Sequence, residues 1–498
     1  MKADYTITIN IDIKNLKVNI RGNEVLKGID FSLKSGEAVA IVGESGSGKT
    51  MLTRSLIGLL PTAANLSGIY EIDGTSFNLN SKEKDWRKIR GNGGISMIMQ
   101  DPFTALDPSK ICGKQILDGV PKDSHGDFDI TTALAEVGLD ANIAGRYPSQ
   151  LSGGQRQRVV IAAALATKPR LLIADEATTA LDVITQKEIL ELINKIRAGR
   201  QMPIIIITHD IHLARHYSEK IFVMDKGCIV ESGNTEHIIE NPKKESTKAL
   251  LSANRFLKNL PYASDESKAE LILSVKSLSK TFGKVQALDD VSINVYAGES
   301  VGIVGQSGSG KTTLARCIIG LTGADSGKIE YFGKVAPQIV FQDPYSSLNP
   351  AHTIRYVLEE ALEVSNRPKE ELMEILSLAE VDEKLLYRKP SDLSGGQRQR
   401  IAIARALAPR TDLLICDESV SALDVIVQNQ ILKTLENLRK TRNMAILFIT
   451  HDLSVLRMLA SRVYVMNKAR VVEHGSTQQI FESAKDEYTK KLIEASVF

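Results

Sequence analysis

Cysteine is scarce in this chain. The four residues in 498 (Cys112, Cys228, Cys317 and Cys416) form no Cys-x-x-Cys pair and lie beside no histidine cluster. That spacing excludes a disulfide framework, suggests no zinc or iron–sulfur site and fits a reducing cytoplasm. An excess of one charge is also missing, because 62 Lys and Arg meet 60 Asp and Glu to leave +2. Bulk charge therefore gives no pull toward nucleic acid or another polyanion. Long apolar runs are absent. The strongest, Met202 to Thr208, falls short of the roughly 18–20 residues that cross a bilayer and reads as a buried strand. The alternating, charged opening MKADYTITINIDIKNLKV lacks the unbroken apolar stretch of a signal peptide, so secretion is not expected. Aromatic residues are only 5%, but 43% of the chain is hydrophobic, enough for ordinary globular cores. At this length two to four such cores are expected.

What is present is a repeat. LSGGQRQR from Leu151 to Arg158 recurs unchanged from Leu393 to Arg400, 242 residues later. The same offset carries QDP at Gln100 onto Gln342, Asp175-Glu176 onto Asp417-Glu418 and Thr208-His209-Asp210 onto Thr450-His451-Asp452. Agreement of several landmarks in one register means duplication. Upstream, GESGSGKT (Gly43 to Thr50) and GQSGSGKT (Gly305 to Thr312) are 262 apart, so the first half carries 20 extra residues, within about Pro61 to Asn92. The reading is a first domain over 1–254, a polar linker over 255–270 and a second domain over 271–498. In each half, apolar runs (Glu37 to Val42, Leu171 to Ala174, Ile204 to Thr208) alternate with helical patterns (Leu52 to Leu60, Gln186 to Ile196, Leu213 onward). This order implies an α/β fold with a mainly parallel sheet, and the unbroken apolarity of LLIAD and IIIIT implies strands buried on both faces.

The two glycine-rich segments each follow a strand and open a helix, the setting a phosphate loop requires. Glycines let successive backbone N–H groups turn inward, and the helix N-terminus adds partial positive charge. Candidate phosphate contacts are Gly43, Ser45, Gly46, Gly48 and Lys49 in the first half, and Gly305, Ser307, Gly308, Gly310 and Lys311 in the second; Thr50 and Thr312 are candidate Mg²⁺ ligands. Asp175-Glu176 and Asp417-Glu418 end apolar strands, where burying carboxylates is costly unless a cation or water uses them. The Asp would support Mg²⁺ through water and the Glu would polarise the attacking water. His209 and His451, at equivalent strand ends, are candidate γ-phosphate contacts. Cys416 corresponds to Ala174 and reads as a small core residue. In LSGGQ, the glycines after Ser152 and Ser394 suit either phosphate binding or a helix N-cap, and spacing alone leaves the two readings even.

Together these segments resemble the ATP-binding cassette family over nearly the whole chain, twice. The resemblance implies two tandem phosphate-loop ATPase domains, each with an antiparallel β part and a helical subdomain beside the parallel core. It implies ATP and Mg²⁺ as ligands and an intramolecular head-to-tail pseudo-dimer of the two halves. One site would join Lys49, Thr50, Gln100, Asp175, Glu176 and His209 to Ser394 and Gly396. The other would join Lys311, Thr312, Gln342, Asp417, Glu418 and His451 to Ser152 and Gly154. Gln100 and Gln342 would add to the metal site, and Asp182 and Asp424 match the loop linking the two. Phe282 lies 29 residues before Lys311, where this family places a ring on adenine; the equivalent residue before Lys49 is Ile20. Ala177 and Ser419 stand where the family usually has proline, which touches only local loop rigidity.

QDPFTALDP from Gln100 and QDPYSSLNP from Gln342 resemble importers of dipeptides, oligopeptides and nickel, whose two ATPase chains are here fused. Such an ATPase is expected at the cytoplasmic face of the membrane. Its partners would be two integral-membrane permeases, docked on residues 101–150 and 343–392, and indirectly an extracytoplasmic substrate-binding protein. Rival resemblances are weaker. Energy-coupling vitamin or metal importers show Gly where this chain has Ala180 and Ala422, and sugar importers usually carry one degraded site. Ribosome-associated twin cassettes have a long basic linker.

Overall fold

The computed structural model describes residues 9–90, 93–178, 181–259, 270–343, 347–420 and 425–496, the side chains of 123 and 253–259 excepted. The described residues fold as two compact units that divide at residue 254. In the first, a six-stranded sheet runs in the order Cys228–Asn234, Lys220–Asp225, Ala38–Val42, Ile204–Thr208, Leu171–Asp175, Ile95–Ile98. The second repeats it as Arg470–Ser476, Arg462–Asn467, Ser300–Val304, Ala445–Thr450, Leu413–Asp417, Gln338–Val340. Only the hairpin at one edge of each sheet is antiparallel. The three central strands of each sheet are buried at every residue, as unbroken apolar runs require when both faces are covered, here by helices on one side and largely by the antiparallel strands on the other.

A separate antiparallel sheet accompanies each core: Asn23–Leu33, Ile11–Ile20, Ala64–Ile72 and Thr75–Phe77 in the first unit, and Val285–Tyr296, Leu271–Phe282 and Ser326–Tyr331 in the second. Most of the first unit's surplus lies between Ile72 and Ile95, where it builds Thr75–Phe77 and a helix, Glu83–Arg90; the second passes from Tyr331 to Gln338 without either. That helix sets Trp86, the only tryptophan, 5% exposed against Phe77 at 4.7 Å. Gly58 lies beneath it, where a Cβ would come within 2.2 Å of the indole. The described residues between the QDP segments and LSGGQ include the helices Cys112–Asp118 and Ile130–Glu136 in one unit and Ile354–Val364 and Leu372–Leu378 in the other.

Two expected boundaries move. The helix expected from Leu52 instead spans Lys49–Leu56, because Gly48 takes a left-handed conformation (φ 103°) and lets the helix begin on the next residue. The helix Glu245–Asn259 takes in residues 255–259 of the expected linker, since ANRFLKN holds no helix breaker before Pro261. The remainder of the expected linker, 260–269, lies outside the described residues, as do Thr179, Ala180, Ala422 and Asp424.

Candidate functional site

Strand register assembles the site. Val42 pairs with Thr208, Asp175 with Ile207 and Ile98 with Ala174, so the residues that follow these strands emerge along one edge of the sheet. That edge, beyond the carboxyl ends of parallel strands, is where open α/β sheets bind ligands. The second unit has the same pairs: Val304 with Thr450, Asp417 with Ile449, Val340 with Cys416.

Each phosphate loop curls over its own lysine. Lys49 Nζ donates to the carbonyls of Gly43 and Glu44, both at 2.8 Å, and Lys311 Nζ to those of Gly305 (2.7 Å) and Gln306 (2.9 Å). The curl depends on Gly48 and Gly310. Both have φ above 100°, and a Cβ at Gly310 would lie 2.3 Å from the Ala287 carbonyl oxygen. At Gly46 and Gly308 a Cβ would meet nothing within 4 Å, so each loop faces open space there. Ser45 and Ser307 are exposed beside them. The buried Ser47 and Ser309 hydroxyls, which the sequence reading passed over, have no hydrogen-bond partner; the alternation of Ser with Gly was the available signal.

The acidic pairs sit against these loops. Thr50 Oγ1 donates to Asp175 Oδ1 at 3.3 Å, and Thr312 Oγ1 to Asp417 at the same distance. Gln100 Nε2 donates to Glu176 at 2.8 Å and Gln342 Nε2 to Glu418 at 2.8 Å. His209 Nδ1 is 3.7 Å from Glu176, and His451 Nδ1 3.6 Å from Glu418. Each unit thus gathers its lysine, threonine, glutamine, aspartate, glutamate and histidine along one sheet edge. A hydroxyl on a buried carboxylate, unpartnered serines and an open glycine cradle fit a nucleotide phosphate with its divalent cation.

Both glutamates adopt a conformation that sequence gave no sign of. Glu176 (φ 45°) and Glu418 (φ 46°) are left-handed without being glycine, a strain of about 1–3 kcal/mol each. Their backbone N–H groups donate to the Ile207 and Ile449 carbonyls, at 3.1 and 2.8 Å. The neighbouring strand therefore holds the turn that points each carboxylate at its glutamine.

The signature residues belong to another element. Ser152 caps the helix Gly153–Ala166 by accepting from Gln155 N–H at 3.3 Å, while Gln155 Oε1 accepts from Ser152 N–H at 3.1 Å. Ser394 and Gln397 repeat this box at 3.3 and 3.0 Å. The cap is thus made in both units, and Gly154 and Gly396 are held small by Thr185 and Val427, within 2.7 and 2.4 Å of a Cβ. Asp182 is buried. Phe282 ends its strand 51% exposed, with Lys280 Nζ 5.5 Å from the ring centre, whereas Cys416 is buried in the core as expected, its thiol pushed up to about 12 by burial.

Electrostatics give a pH prediction. Burial, reinforced by Glu176, pushes the Asp175 carboxyl up from 3.8 to about 6; burial does the same at Asp417 against the opposing Thr312 hydrogen bond. A carboxyl raised in the folded state keeps its proton longer there, so these groups subtract stability as pH rises from about 4 to about 6. Burial opposes the charged forms of His209 and His451, but the adjacent glutamates outweigh it and raise both. Their stabilisation is likewise lost as pH rises through the folded values. Without nucleotide or Mg²⁺, each unit is expected to melt roughly 2–4 °C higher at pH 5 than at pH 7.5, from about 1 kcal/mol per aspartate. Calorimetry on the Asp175→Asn, Asp417→Asn chain should show a flattened difference; an unchanged one would exclude these carboxylates as its source.

Comparison with known proteins identifies the family. The family model described as ABC transporter matches residues 26–179 and 288–421. The chain is 38% identical to the peptidoglycan transport ATP-binding protein YejF of Agrobacterium fabrum, over 94% of this chain and 92% of that one. It is 34% identical to the glutathione import ATP-binding protein GsiA of Pectobacterium atrosepticum, over 97% and 89%. A solved structure titled RNase-L Inhibitor, 21% identical, shares the fold with a TM-score of 0.64 across 95% of this chain and 94% of that one. No helix among the described residues is long and apolar enough to cross a membrane. The chain belongs to the ABC transporter family as a fused pair of ATP-binding cassettes, an ATP hydrolase coupled to transmembrane transport.

Proposed function

We propose that this chain energises the import of small peptides or peptide-containing compounds across a cell membrane, from its cytoplasmic face. The carrying observation is full-length similarity to relatives named for peptidoglycan transport and glutathione import, glutathione being itself a tripeptide. The QDP segments that follow Ile95–Ile98 and Gln338–Val340 support it, as does the equal 50-residue length of 101–150 and 343–392, which suits two equivalent permeases.

In this reading the backbone N–H groups of Gly43 to Lys49 and Gly305 to Lys311 bind phosphate, and Lys49 and Lys311 leave their loop carbonyls for the β- and γ-phosphates. Thr50, Asp175 and Gln100, with Thr312, Asp417 and Gln342, would hold Mg²⁺, which neutralises phosphate charge when bound. Glu176 and Glu418 orient the attacking water and accept its proton. His209 and His451, each beside its glutamate, contact the γ-phosphate.

The test is assembly. Isolated from its native membrane, the chain is expected to co-purify with two polytopic subunits, and peptide-loaded binding protein should raise its ATP turnover several-fold. Recovery with ribosomes and no permease would overturn the transporter reading; stimulation by a sugar or vitamin carrier instead would overturn the peptide reading.

A further inference from the structure

The two phosphate loops are almost superimposable in sequence and contacts, but they are mounted differently. In the second unit the backbone N–H of Gln306 donates to the hydroxyl of Tyr488 at 2.7 Å. The carbonyl of the same residue accepts from Lys311 Nζ at 2.9 Å. One loop residue thus connects the phosphate lysine to a tyrosine 182 positions away, on the helix Glu487–Ser496.

That helix is a firm mount. The Glu473 carboxylate, on the strand Arg470–Ser476, accepts from the N–H groups of Lys485 (2.8 Å) and Asp486 (3.2 Å). Asp486 Oδ1 in turn accepts from the N–H groups of Tyr488 (2.9 Å) and Thr489 (3.2 Å). Leu492 is buried in the unit's core and Tyr488 packs against it. The first unit keeps the anchor but not the arm. Glu231 accepts from the N–H groups of Lys243 and Lys244, at 2.9 and 3.1 Å, and from the Thr247 hydroxyl at 2.6 Å. The 242-residue offset that aligns Glu231 with Glu473 and Thr247 with Thr489 places Ser246 opposite Tyr488. A serine hydroxyl, one carbon from the backbone, cannot span the distance a phenol ring covers.

We infer that Tyr488 is a positioning residue for the second nucleotide site: it fixes the Gln306 peptide, and through it the shape of the loop that receives phosphate, a tether for which the first unit has Ser246 in place of the tyrosine. A loop already held in its binding shape loses less freedom when phosphate arrives, so the tether tightens nucleotide binding at the Lys311 site. Burial pushes the Tyr488 hydroxyl up to about 12, so it stays neutral at every working pH. The inference rests on the assignment of Lys49 and Lys311 as phosphate ligands, and the experiment separates the two.

Tyr488→Phe deletes only the hydroxyl. In a Lys49→Ala chain, where the second loop alone reports, calorimetric titration with Mg²⁺ and ATP should show about fivefold weaker binding on adding Tyr488→Phe. In a Lys311→Ala chain the change should be several-fold smaller. Hydrogen exchange in the absence of nucleotide should quicken at Gln306 while the helix 487–496 stays protected, a local effect that general destabilisation does not produce. Equal affinity with and without the hydroxyl in the Lys49→Ala chain, or an unchanged Gln306 exchange rate, overturns the inference. Full ATP binding in the Lys49→Ala, Lys311→Ala double variant would instead overturn the assignment of the lysines.

Discussion

Replacing Glu176 and Glu418 together by glutamine is expected to slow ATP hydrolysis by about two to three orders of magnitude while leaving nucleotide affinity within about threefold. The substitution keeps shape and removes charge. A glutamine carbonyl oxygen can still accept from Gln100 or Gln342 Nε2, now 2.8 Å from each carboxylate, so the local hydrogen bond survives. The left-handed turn survives too, because it is held by the N–H bonds to Ile207 and Ile449 and not by the side chain. What is lost is an acceptor for the proton of the attacking water, and the partner of the histidine 3.6–3.7 Å away. Each single variant should retain the turnover of the other site, since both units hold a complete set of groups. Steady-state phosphate release and nucleotide titration on the same preparations decide the matter. Wild-type turnover in both single variants within the assembled transporter would remove these carboxylates from the mechanism.

The core strands and the residues at their ends were legible because burial on both faces leaves an unambiguous mark: LLIAD and IIIIT contain no polar residue until the strand stops. The polar residues that follow must then lie at strand ends, and the resemblance to the ATP-binding cassette family is what joins Asp175, Glu176, His209 and the loop at Gly43 into one site. Three features were not legible, each for a physical reason. The left-handed turn at Glu176 and Glu418 occurs at residues with no intrinsic preference for it, and is imposed by a carbonyl on a neighbouring strand. The packing of Trp86 onto Gly58 depends on an inserted helix whose direction of return no local pattern encodes. The bond from Gln306 to Tyr488 joins residues 182 apart through a backbone donor, and backbone groups leave no trace in sequence. The LSGGQ segment is intermediate. Its serine was equally a cap or a phosphate ligand by spacing, and the structure shows the cap made in both units.

The two sites are also expected to differ in how they hold the base, with the Lys311 site binding ATP about tenfold more tightly than the Lys49 site. Register makes Ile20 and Phe282 equivalent: each ends its strand, Ile20 opposite Asn23 and Phe282 opposite Val285. Two residues beyond Val285, the Ala287 carbonyl lies against Gly310, so the hairpin that carries Phe282 adjoins the phosphate loop. In the first unit the Val25 carbonyl lies 3.5 Å from a Cβ at Gly48, in the same relation. Phe282 is 51% exposed and so is no part of the core; Phe31, by contrast, is 3% exposed within its strand. An exposed ring beside a phosphate loop is available to a base, and base–aromatic stacking is worth on the order of 1–3 kcal/mol. Ile20 offers apolar contact without a π face and should recover only part of that, leaving a difference near 1.4 kcal/mol, or tenfold. Tyr488 favours the same site, so the two contributions must be separated by ligand. Tripolyphosphate has no base: its affinity for a Lys49→Ala chain should be indifferent to Phe282→Ala but should fall with Tyr488→Phe, whereas ATP affinity should fall with either. If Phe282→Ala leaves ATP binding unchanged, or weakens tripolyphosphate equally, the ring does not hold adenine and the asymmetry at Ile20 has no bearing on nucleotide affinity.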